Sequence, residues 1–178
     1  ILFAFAFFIF LGFLFIESDA FISDVAIFSN EVLYNEDEDG GSGSGGGIAI
    51  FDGNPIFENV VIANNSAPNI GGGIVIYAGE VELKNVTITH NSAVHTGSGI
   101  FNMGKLTINN TIIWGNILTD EITEPIPHQI YIKTSTENNQ NISVNYSNIE
   151  GGEDGIISDA DEMGGVVDIT WGQYNFDI

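Results

Sequence analysis

The sequence predicts an all-β solenoid, in which short strands form coils that stack in parallel as a single-stranded β-helix. Three observations predict this fold. One stretch of sequence recurs at a spacing of 26 residues. Within each copy, apolar and polar residues alternate with the two-residue period of a strand. The same asparagine positions return in each copy, where the alternation slips. A fixed period in the twenties is typical of solenoids, whose repeats bury their apolar faces on their neighbours.

The repeat is clearest between residues 45 and 116. The stretch GGGIVIYAGEVELKNVTITHNSA at 71–93 matches GGGIAIFDGNPIFENVVIANNSA at 45–67 with an offset of 26 residues. A third copy, GSGIFNMGKLTINNTIIWGN at 97–116, loses one residue after its first strand, so its later positions match at 25. Looser copies at 12–30 and 130–152 extend the prediction to about five coils of about 26 residues each.

Corners between the strands explain the asparagines. Asn85 stands where the alternation slips by one, as a corner between two short strands requires. Two columns recur in this way, and they consist of Asn59, Asn85 and Asn110, and of Asn65, Asn91 and Asn116. Because Asn tolerates left-handed backbone and stacked amides can bond to one another, we interpret both columns as structural ladders. The glycines at 45–47 and 71–73 are expected to form turns with positive φ before each first strand.

Composition and charge restrict the partners. The 178 residues include no cysteine, which excludes disulfides and thiolate sites. Three Lys and no Arg stand against 24 acidic residues, and the net charge is −21. Such a surface repels phosphate backbones, which argues against nucleic-acid binding. Cations, basic proteins and uncharged glycans are the partners that it favours.

The start of the chain is strongly apolar. Residues 1–16 read ILFAFAFFIFLGFLFI, which is too short to span a bilayer as a helix and suits the apolar region of a secretory signal. We interpret residues 1–11 as a remnant of such a region and 12–178 as the β-helix, with loop insertions at 31–44 and 117–129. Two interpretations of residues 12–30 remain, either as a first coil or as part of a signal peptide cleaved after Ala20. Without an initial Met or a basic segment, the sequence is expected to be a fragment of a longer chain.

The repeats resemble a known family. GGGI, followed about twelve residues later by ENV or KNV and then by NNSA or HNSA, is similar to the repeats of right-handed parallel β-helix proteins. These belong to the pectate-lyase-like superfamily and include the polymorphic outer-membrane protein type. NNTIIWGN at 109–116 and VNYSNIEGG at 144–152 resemble the last coils of secreted bacterial members. The resemblance implies a right-handed coil, and a location outside the cell or on its surface, including the bacterial outer membrane.

The resemblance also implies an enzymatic alternative. Enzymes of this family cleave polysaccharides, either as lyases with an Arg or Lys base and Ca²⁺, or as hydrolases with clustered Asp and a Gly-His-Gly segment. This sequence has no Arg and no Gly-His-Gly, and Lys84 and Lys105 stand on the outward phase without a local acid cluster. His90, His95 and His128 are expected in corners or loops as solvated imidazoles. We therefore expect no catalysis, and the alternative is a lyase or glycoside hydrolase whose catalytic coils lie outside this sequence.

An acidic loop is the candidate for a cation site. Asn35, Asp37 and Asp39 stand at alternate positions before Gly40, like the first half of a Ca²⁺ loop. The bidentate Glu that would close such a loop is absent, because position 46 is Gly. A solvated acidic loop without a cation is the alternative.

The first strand of each copy is apolar on its outward phase as well as its inward one. With an offset of 35 for the first copy, the outward column reads Leu14, Ala49, Val75, Phe101, Tyr131. A strand face that is apolar outside is commonly covered or used for contact. Aromatic rings can stack on sugar rings, so Phe101, Tyr131 and Tyr77 are candidates for glycan binding. A cover supplied by another part of the parent protein is the alternative.

Taken together, these features predict an adhesin-like or structural segment of a secreted or cell-surface protein. Its expected partners are glycans or other surface proteins. Contact with a membrane is expected only through a targeting or anchoring segment.

Overall fold

The chain forms a parallel β-solenoid, as the sequence predicts. The structure is a computed structural model, and it describes residues 3–4, 14–33, 43–119, 126–134, 140–159, 167–172 and 174–175. Within these ranges the regular structure consists of short strands and one 3₁₀ helix, Gly152–Gly155. Strands dominate because β-branched residues and turn-forming Gly and Asn fill each copy.

The strands follow one another along the chain with corners or short loops between them. In chain order they are β1 (Phe3–Ala4), β2 (Leu14–Glu17), β3 (Phe21–Ser23), β4 (Ala26–Phe28), β5 (Ile48–Asp52), β6 (Ile56–Glu58), β7 (Val61–Ala63), β8 (Ser66–Ala67), β9 (Ile74–Ile76), β10 (Glu80–Lys84), β11 (Thr87–Thr89), β12 (Ser92–Ala93), β13 (Ile100–Asn102), β14 (Lys105–Asn109), β15 (Ile112–Trp114), β16 (Ile117–Leu118), β17 (Ile126–Pro127), β18 (Ile130–Ile132), β19 (Gln140–Asn145), β20 (Asn148–Ile149), β21 (Ile156–Ser158) and β22 (Val167–Trp171).

The described strands stack into four sheets, which are numbered here in the order in which one coil enters them. Sheet 1 is β2-β5-β9-β13-β18-β21, and sheet 2 is β1-β3-β6-β10-β14-β19-β22. Sheet 3 is β4-β7-β11-β15-β20, and sheet 4 is β8-β12-β16-β17. The coil of β5, β6, β7 and β8 therefore visits each sheet once. The pairings are parallel, except that β17 lies antiparallel to β16.

The register confirms the period read from the sequence. Ile88 pairs with Ile62 on one side and with Ile113 on the other, at offsets of 26 and 25 residues. The five strands of sheet 3 delimit about four complete turns, against the five coils predicted. The coils at the two ends of the described stack are incomplete, since sheets 1 and 2 have six and seven strands but sheets 3 and 4 have only five and four.

The first copy departs from its predicted alignment. Phe15, rather than Leu14, pairs with Ala49, and Leu14 pairs with Ile48, so the offset is 34 at this point. The register then shifts between Ile16 and Glu17, and the next strand pairs at the expected offset of 35. A bulge of this kind adds one residue to one strand without disturbing the coils around it. The predicted outward column is therefore wrong at Leu14.

The interior of the solenoid is a column of apolar side chains. The inward residues of sheets 1, 2 and 3 are almost all fully buried, and the largest of them are Ile48, Ile50, Phe57, Ile62, Ile74, Ile76, Leu83, Ile88, Ile100, Leu106 and Ile108. Burying one such side chain contributes about 1.5–3 kcal/mol. Because each coil is only one strand thick, most of this burial depends on the coils above and below it.

The corner between sheets 3 and 4 holds the first asparagine ladder. Asn91 donates its backbone N–H and its Nδ2 to Oδ1 of Asn116, at 3.0 and 2.9 Å. Its own Oδ1 accepts the same two bonds from Asn65, both at 2.9 Å. Asn30 begins this buried ladder and Gln129 ends it. The interpretation of Asn65, Asn91 and Asn116 as a structural column is confirmed by these bonds.

The corner between sheets 2 and 3 holds a second, exposed ladder. Asn59, Asn85 and Asn110 all have left-handed backbone, with φ between 51° and 56°. Nδ2 of Asn85 donates to Oδ1 of Asn59 at 3.1 Å, and Asn110 donates to Asn85. In each glycine run before a first strand only the first residue has positive φ, with 75° at Gly45 and 66° at Gly71, so the prediction for 45–47 and 71–73 holds at one position of each run.

The segments described as loop insertions contribute to the stack at their edges. Ile117–Leu118 continue sheet 4 beside β12, and Gln129 lies inside the coil as the last step of the buried ladder. Glu31 forms a parallel bridge with Ser66. The ends of segments 31–44 and 117–129 are therefore ordered by pairing with neighbouring coils.

We predict that the buried ladder contributes far more to the free energy of unfolding than the exposed ladder does. Asn91→Ala removes the buried acceptor of the Asn65 backbone N–H and of one of its two Nδ2 hydrogen bonds, so the free energy of unfolding should fall by about 2–4 kcal/mol. Asn85→Gly is the matched control, because Gly keeps the left-handed corner, and it should cost about 1 kcal/mol or less. Urea unfolding followed by circular dichroism measures both. Equal losses in the two variants would contradict this assignment.

Candidate functional site

The predicted cation loop lies outside the part of the chain that the structure describes. This applies to Asn35, Asp37 and Asp39, whose binding of Ca²⁺ stays a prediction. Among the described residues, no group of three or more His, Asp or Glu side chains is arranged to hold a metal ion.

The apolar outward face of sheet 1 is covered by the chain itself. Phe101 is only 6 % exposed and forms a cluster with the buried Ala49 and Val75, against which Ile70 and Met103 pack. A Phe ring in this position is part of a second small core and does not offer an open surface to a ligand. Packing within this chain therefore buries Phe101, and a cover supplied by another part of the parent protein stays a prediction.

The other two aromatic candidates lie at the edge of that cluster. The ring of Tyr131 stacks on Phe101 with centroids 5.6 Å apart, and the ring of Tyr77 tilts against Phe51 at 4.9 Å. Both tyrosines are half-buried. Their stacking on a glycan stays a prediction, and the third candidate, Phe101, is too buried for that role.

An open groove runs along the outward face of sheet 2. Its volume is about 580 Å³, and its lining comes from strands β6, β10, β14, β19 and β22 and from the turn before β6. The lining residues are Asn54, Ile56, Glu80, Val81, Glu82, Lys105, Leu106, Thr107, Asn141, Ile142, Ser143, Asp168 and Thr170. We call this feature the sheet 2 groove. The polar residues of this set look like ordinary solvated positions in the sequence, and nothing in the pattern indicates that they line one groove.

The register arranges the outward side chains of the groove in two columns. In the first column Glu80 pairs with Lys105, and Asn141 pairs with Asp168. In the second column Thr107 stands between Glu82 and Ser143, and Ser143 pairs with Thr170, which places three hydroxyl groups in succession. Parallel neighbours lie about 4.8 Å apart, so the groove repeats polar groups at that spacing.

Ion pairs hold the charged side chains of the groove. Nζ of Lys105 lies 2.5 Å from Oε1 of Glu80, and Nζ of Lys84 lies 2.8 Å from Oε2 of Glu82. Each lysine therefore has one acidic partner, Glu82 on the same strand for Lys84 and Glu80 on the neighbouring coil for Lys105. In the lining itself, three carboxylates accompany one lysine, so the groove keeps a negative character.

The outward face of sheet 3 is different in kind. From β4 to β15 its eight outward positions carry no charged residue, and they are Ala26, Phe28, Val61, Ala63, Thr87, Thr89, Ile112 and Trp114. Charged and hydroxyl-bearing side chains are thus concentrated on sheet 2, beside a face that is largely apolar.

His128 is buried, contrary to the expectation of a solvated imidazole. It is 7 % exposed, its Nδ1 accepts the backbone N–H of Gly97 at 2.9 Å, and its ring stacks on Tyr131. Burial lowers the pKa of His128 below its ordinary value. His90 and His95 are exposed, as expected.

Asp159 is a buried carboxylate at the C-terminal end of the stack. Its Oδ1 accepts bonds from the backbone N–H and hydroxyl of Thr134, at 2.7 and 2.8 Å, and its Oδ2 lies 2.7 Å from Nζ of Lys133. Burial raises the pKa of Asp159, but the bonds from Lys133 and Thr134 outweigh burial and hold its pKa below the ordinary value. These contacts secure the corner after β18, and they leave the carboxylate no free oxygen for chemistry.

Comparison with protein-family models, curated proteins and solved structures finds no match to this chain. The class that the fold defines is therefore the parallel β-solenoid with about 26 residues per turn. Within the described ranges, no helix has the length and apolar character needed to cross a bilayer.

We predict that His128 makes the fold sensitive to mild acid. Because burial lowers its pKa in the folded state, the unfolded state binds the proton more tightly, and stability declines as the pH falls below the ordinary value of 6.5. The free energy of unfolding should therefore decrease from pH 7.5 to pH 5.5, a range in which Asp159 stays ionised. His128→Asn should flatten this decline, since the Asn oxygen can accept the Gly97 N–H without titrating.

His95→Asn is the control for loss of an exposed imidazole, and it should keep the slope of the parent. Urea unfolding at several pH values measures all three proteins. An unchanged slope in His128→Asn would contradict the role assigned to burial.

Proposed function

We propose that this chain is a non-catalytic β-solenoid segment of a secreted or cell-surface protein, which binds neutral glycans in the sheet 2 groove. The observation that carries the proposal is the groove itself, an open channel of about 580 Å³ lined by stacked hydroxyl, amide and carboxylate groups. Polysaccharides present hydroxyl groups at regular intervals, and a row of fixed donors and acceptors is complementary to them.

The charge of the groove favours a neutral glycan over an acidic one. Glu80, Glu82 and Asp168 accompany a single lysine in the lining, and that lysine is already paired with Glu80. An acidic polymer would meet these carboxylates and a chain of net charge −21. Like charges brought together at a binding site lower affinity, and carboxylates bind sugar hydroxyls well as hydrogen-bond acceptors.

Rigidity of the scaffold supports a role in adhesion. The outward side chains of sheet 2 are fixed by a parallel ladder whose coils share one core. A preformed site loses little conformational entropy on binding, so weak polar contacts can still hold a ligand. The repeats GGGI, KNV and HNSA further support membership of the right-handed, pectate-lyase-like β-helix proteins, and with it a location on a bacterial surface or outside the cell.

Glycoside hydrolysis in the same groove is the second candidate. Glu80 and Glu82 lie two residues apart on β10 and face the same side, as a pair of catalytic carboxylates would. Each of them, however, is engaged by a lysine. A hydrolase needs two carboxyl groups that are free to act on the glycosidic bond, and a carboxylate held by a lysine is less available for that role. The ion pairs therefore favour binding without turnover.

The proposal predicts measurable binding of neutral oligosaccharides. Cellohexaose and xylohexaose are suitable neutral probes, hexagalacturonate is the acidic comparison, and calorimetric titration measures affinity. Thr107→Val removes a hydroxyl from the middle of the groove and should weaken binding of a neutral hexamer by about 3- to 10-fold, the value of one hydrogen bond.

Thr87→Val is the matched control, because Thr87 is also an outward, half-buried strand residue but lies on sheet 3. It should leave the affinity unchanged. Binding of hexagalacturonate in preference to the neutral hexamers, or equal effects of the two substitutions, would refute the proposed site. Release of reducing ends from any of the three probes would favour the hydrolase instead.

A further inference from the structure

The corner between sheets 2 and 3 changes its residue type at the C-terminal end of the stack. The exposed ladder of Asn59, Asn85 and Asn110 is continued in the next two coils by Tyr146 and Tyr174. Hydrogen bonds fix this alignment, because Thr111 donates its backbone N–H to Oγ of Ser147, and Ser147 donates its own to Oδ1 of Asn175. Both tyrosines therefore occupy the corner position that asparagine fills in the coils before them.

Tyrosine is a poor choice for this backbone conformation. The φ values are 52° at Tyr146 and 61° at Tyr174, in the left-handed region that bulky side chains rarely adopt. The asparagines of the same corner adopt it more readily, and their amides bond from coil to coil. Asparagine fits this corner better than tyrosine does. A tyrosine held there in an unfavourable conformation therefore indicates a role other than stability.

The two rings form an exposed aromatic surface. Their centroids lie 5.4 Å apart with an angle of 14° between the planes, and the residues are 58 % and 65 % exposed. The side chain of Asn110 is shorter and donates its amide toward Asn85, away from Tyr146. The outer part of the Tyr146 ring is thus left open on that side, above a small neighbour.

The backbone beneath the rings is firmly anchored. Asn175 accepts the N–H of Ser147 at 2.9 Å and donates to the carbonyl oxygens of Val144 and Gly172, at 2.9 and 3.1 Å. Tyrosine itself has only two side-chain torsions and loses little entropy when it binds a ligand. The pair is consequently a preorganised platform.

This platform continues the sheet 2 groove along its strands. Ser143 and Thr170 line the groove, and they precede Tyr146 and Tyr174 by three and four residues. At about 3.3 Å per residue, the Cα atoms of the two tyrosines lie at most about 10 and 13 Å along the chain from those of Ser143 and Thr170. Asn145 lies between them and donates to Oγ of Ser143 at 3.2 Å. An oligosaccharide in the groove reaches that far.

We propose that Tyr146 and Tyr174 form a sugar-stacking subsite, which receives the apolar face of a neutral pyranose ring at the end of a glycan bound in the sheet 2 groove. This inference rests on the proposed function and adds to it the class of sugar and the length of ligand required. Ligands that fill only the groove do not use the subsite, whereas longer ones do.

The test compares ligand lengths in two double variants. Tyr146→Asn with Tyr174→Asn restores the residue that the corner carries elsewhere, and Tyr146→Phe with Tyr174→Phe keeps the aromatic faces. Calorimetric titration with cellohexaose should show about a tenfold loss of affinity in the Asn variant, and less than about a twofold change in the Phe variant. With cellotriose, both variants should match the parent. The melting temperature of the Asn variant should equal or exceed that of the parent.

The outcomes separate this inference from the function on which it rests. If Thr107→Val with Ser143→Ala weakens cellohexaose binding but the Asn variant does not, the groove stands and the subsite is overturned. A lower melting temperature in the Asn variant, with unchanged affinity, would make the tyrosines a structural ladder and also overturn the subsite. If the parent binds neither cellohexaose nor xylohexaose, both glycan binding in the groove and the subsite are refuted.

Discussion

Parallel stacking in a fixed register is the constraint on which this structure depends. Ile62, Ile88 and Ile113 share one inward position, and a shift of one residue in any coil would turn its isoleucine outward. The buried amides impose the same register by a second means, because Asn91 bonds to the corresponding asparagine of the coil on either side. Burial and hydrogen bonding therefore select one alignment.

The same constraint limits where function can lie. Inward side chains and the corner asparagines are committed to the stack, and on sheet 1 the outward Val75 and Phe101 are covered as well. Chemistry is left to the outward faces of sheets 2 and 3 and to the corner of Tyr146 and Tyr174, and of the two faces sheet 2 carries the charged groups. The glycan binding proposed for that face uses outward side chains that the core does not need, so these side chains can vary without loss of the core.

Much of the fold was predictable because each of its elements recurs. Four features repeat with each coil and are therefore visible several times in the sequence. They are the period, the strand phase, the left-handed corner at Asn85 and the glycine turn at Gly71. The features that the sequence did not predict each occur only once in the chain. The bulge at Ile16 leaves no periodic trace, and His128 lies in an irregular insertion whose burial depends on the coil beside it.

The candidate site was less predictable for a related reason. A groove arises from the relative placement of neighbouring strands, and alternation reports only which side a residue faces. The sequence correctly assigned Lys105 to the outward side, yet its partner Glu80 is 25 residues away. The burial of Phe101 likewise depends on packing with Ile70, which lies before β9 in the neighbouring coil.

Glycan recognition on sheet 2 is tested most directly by mapping amide chemical shifts of the isotope-labelled protein during titration with cellohexaose. Contact in the groove should move the signals of residues 80–84, 105–109 and 141–145, and should leave those of 61–63 and 87–89, on sheet 3, in place. Shifts confined to sheet 3 or to the covered face of sheet 1, or none at all, would contradict the assignment of the groove as the binding site.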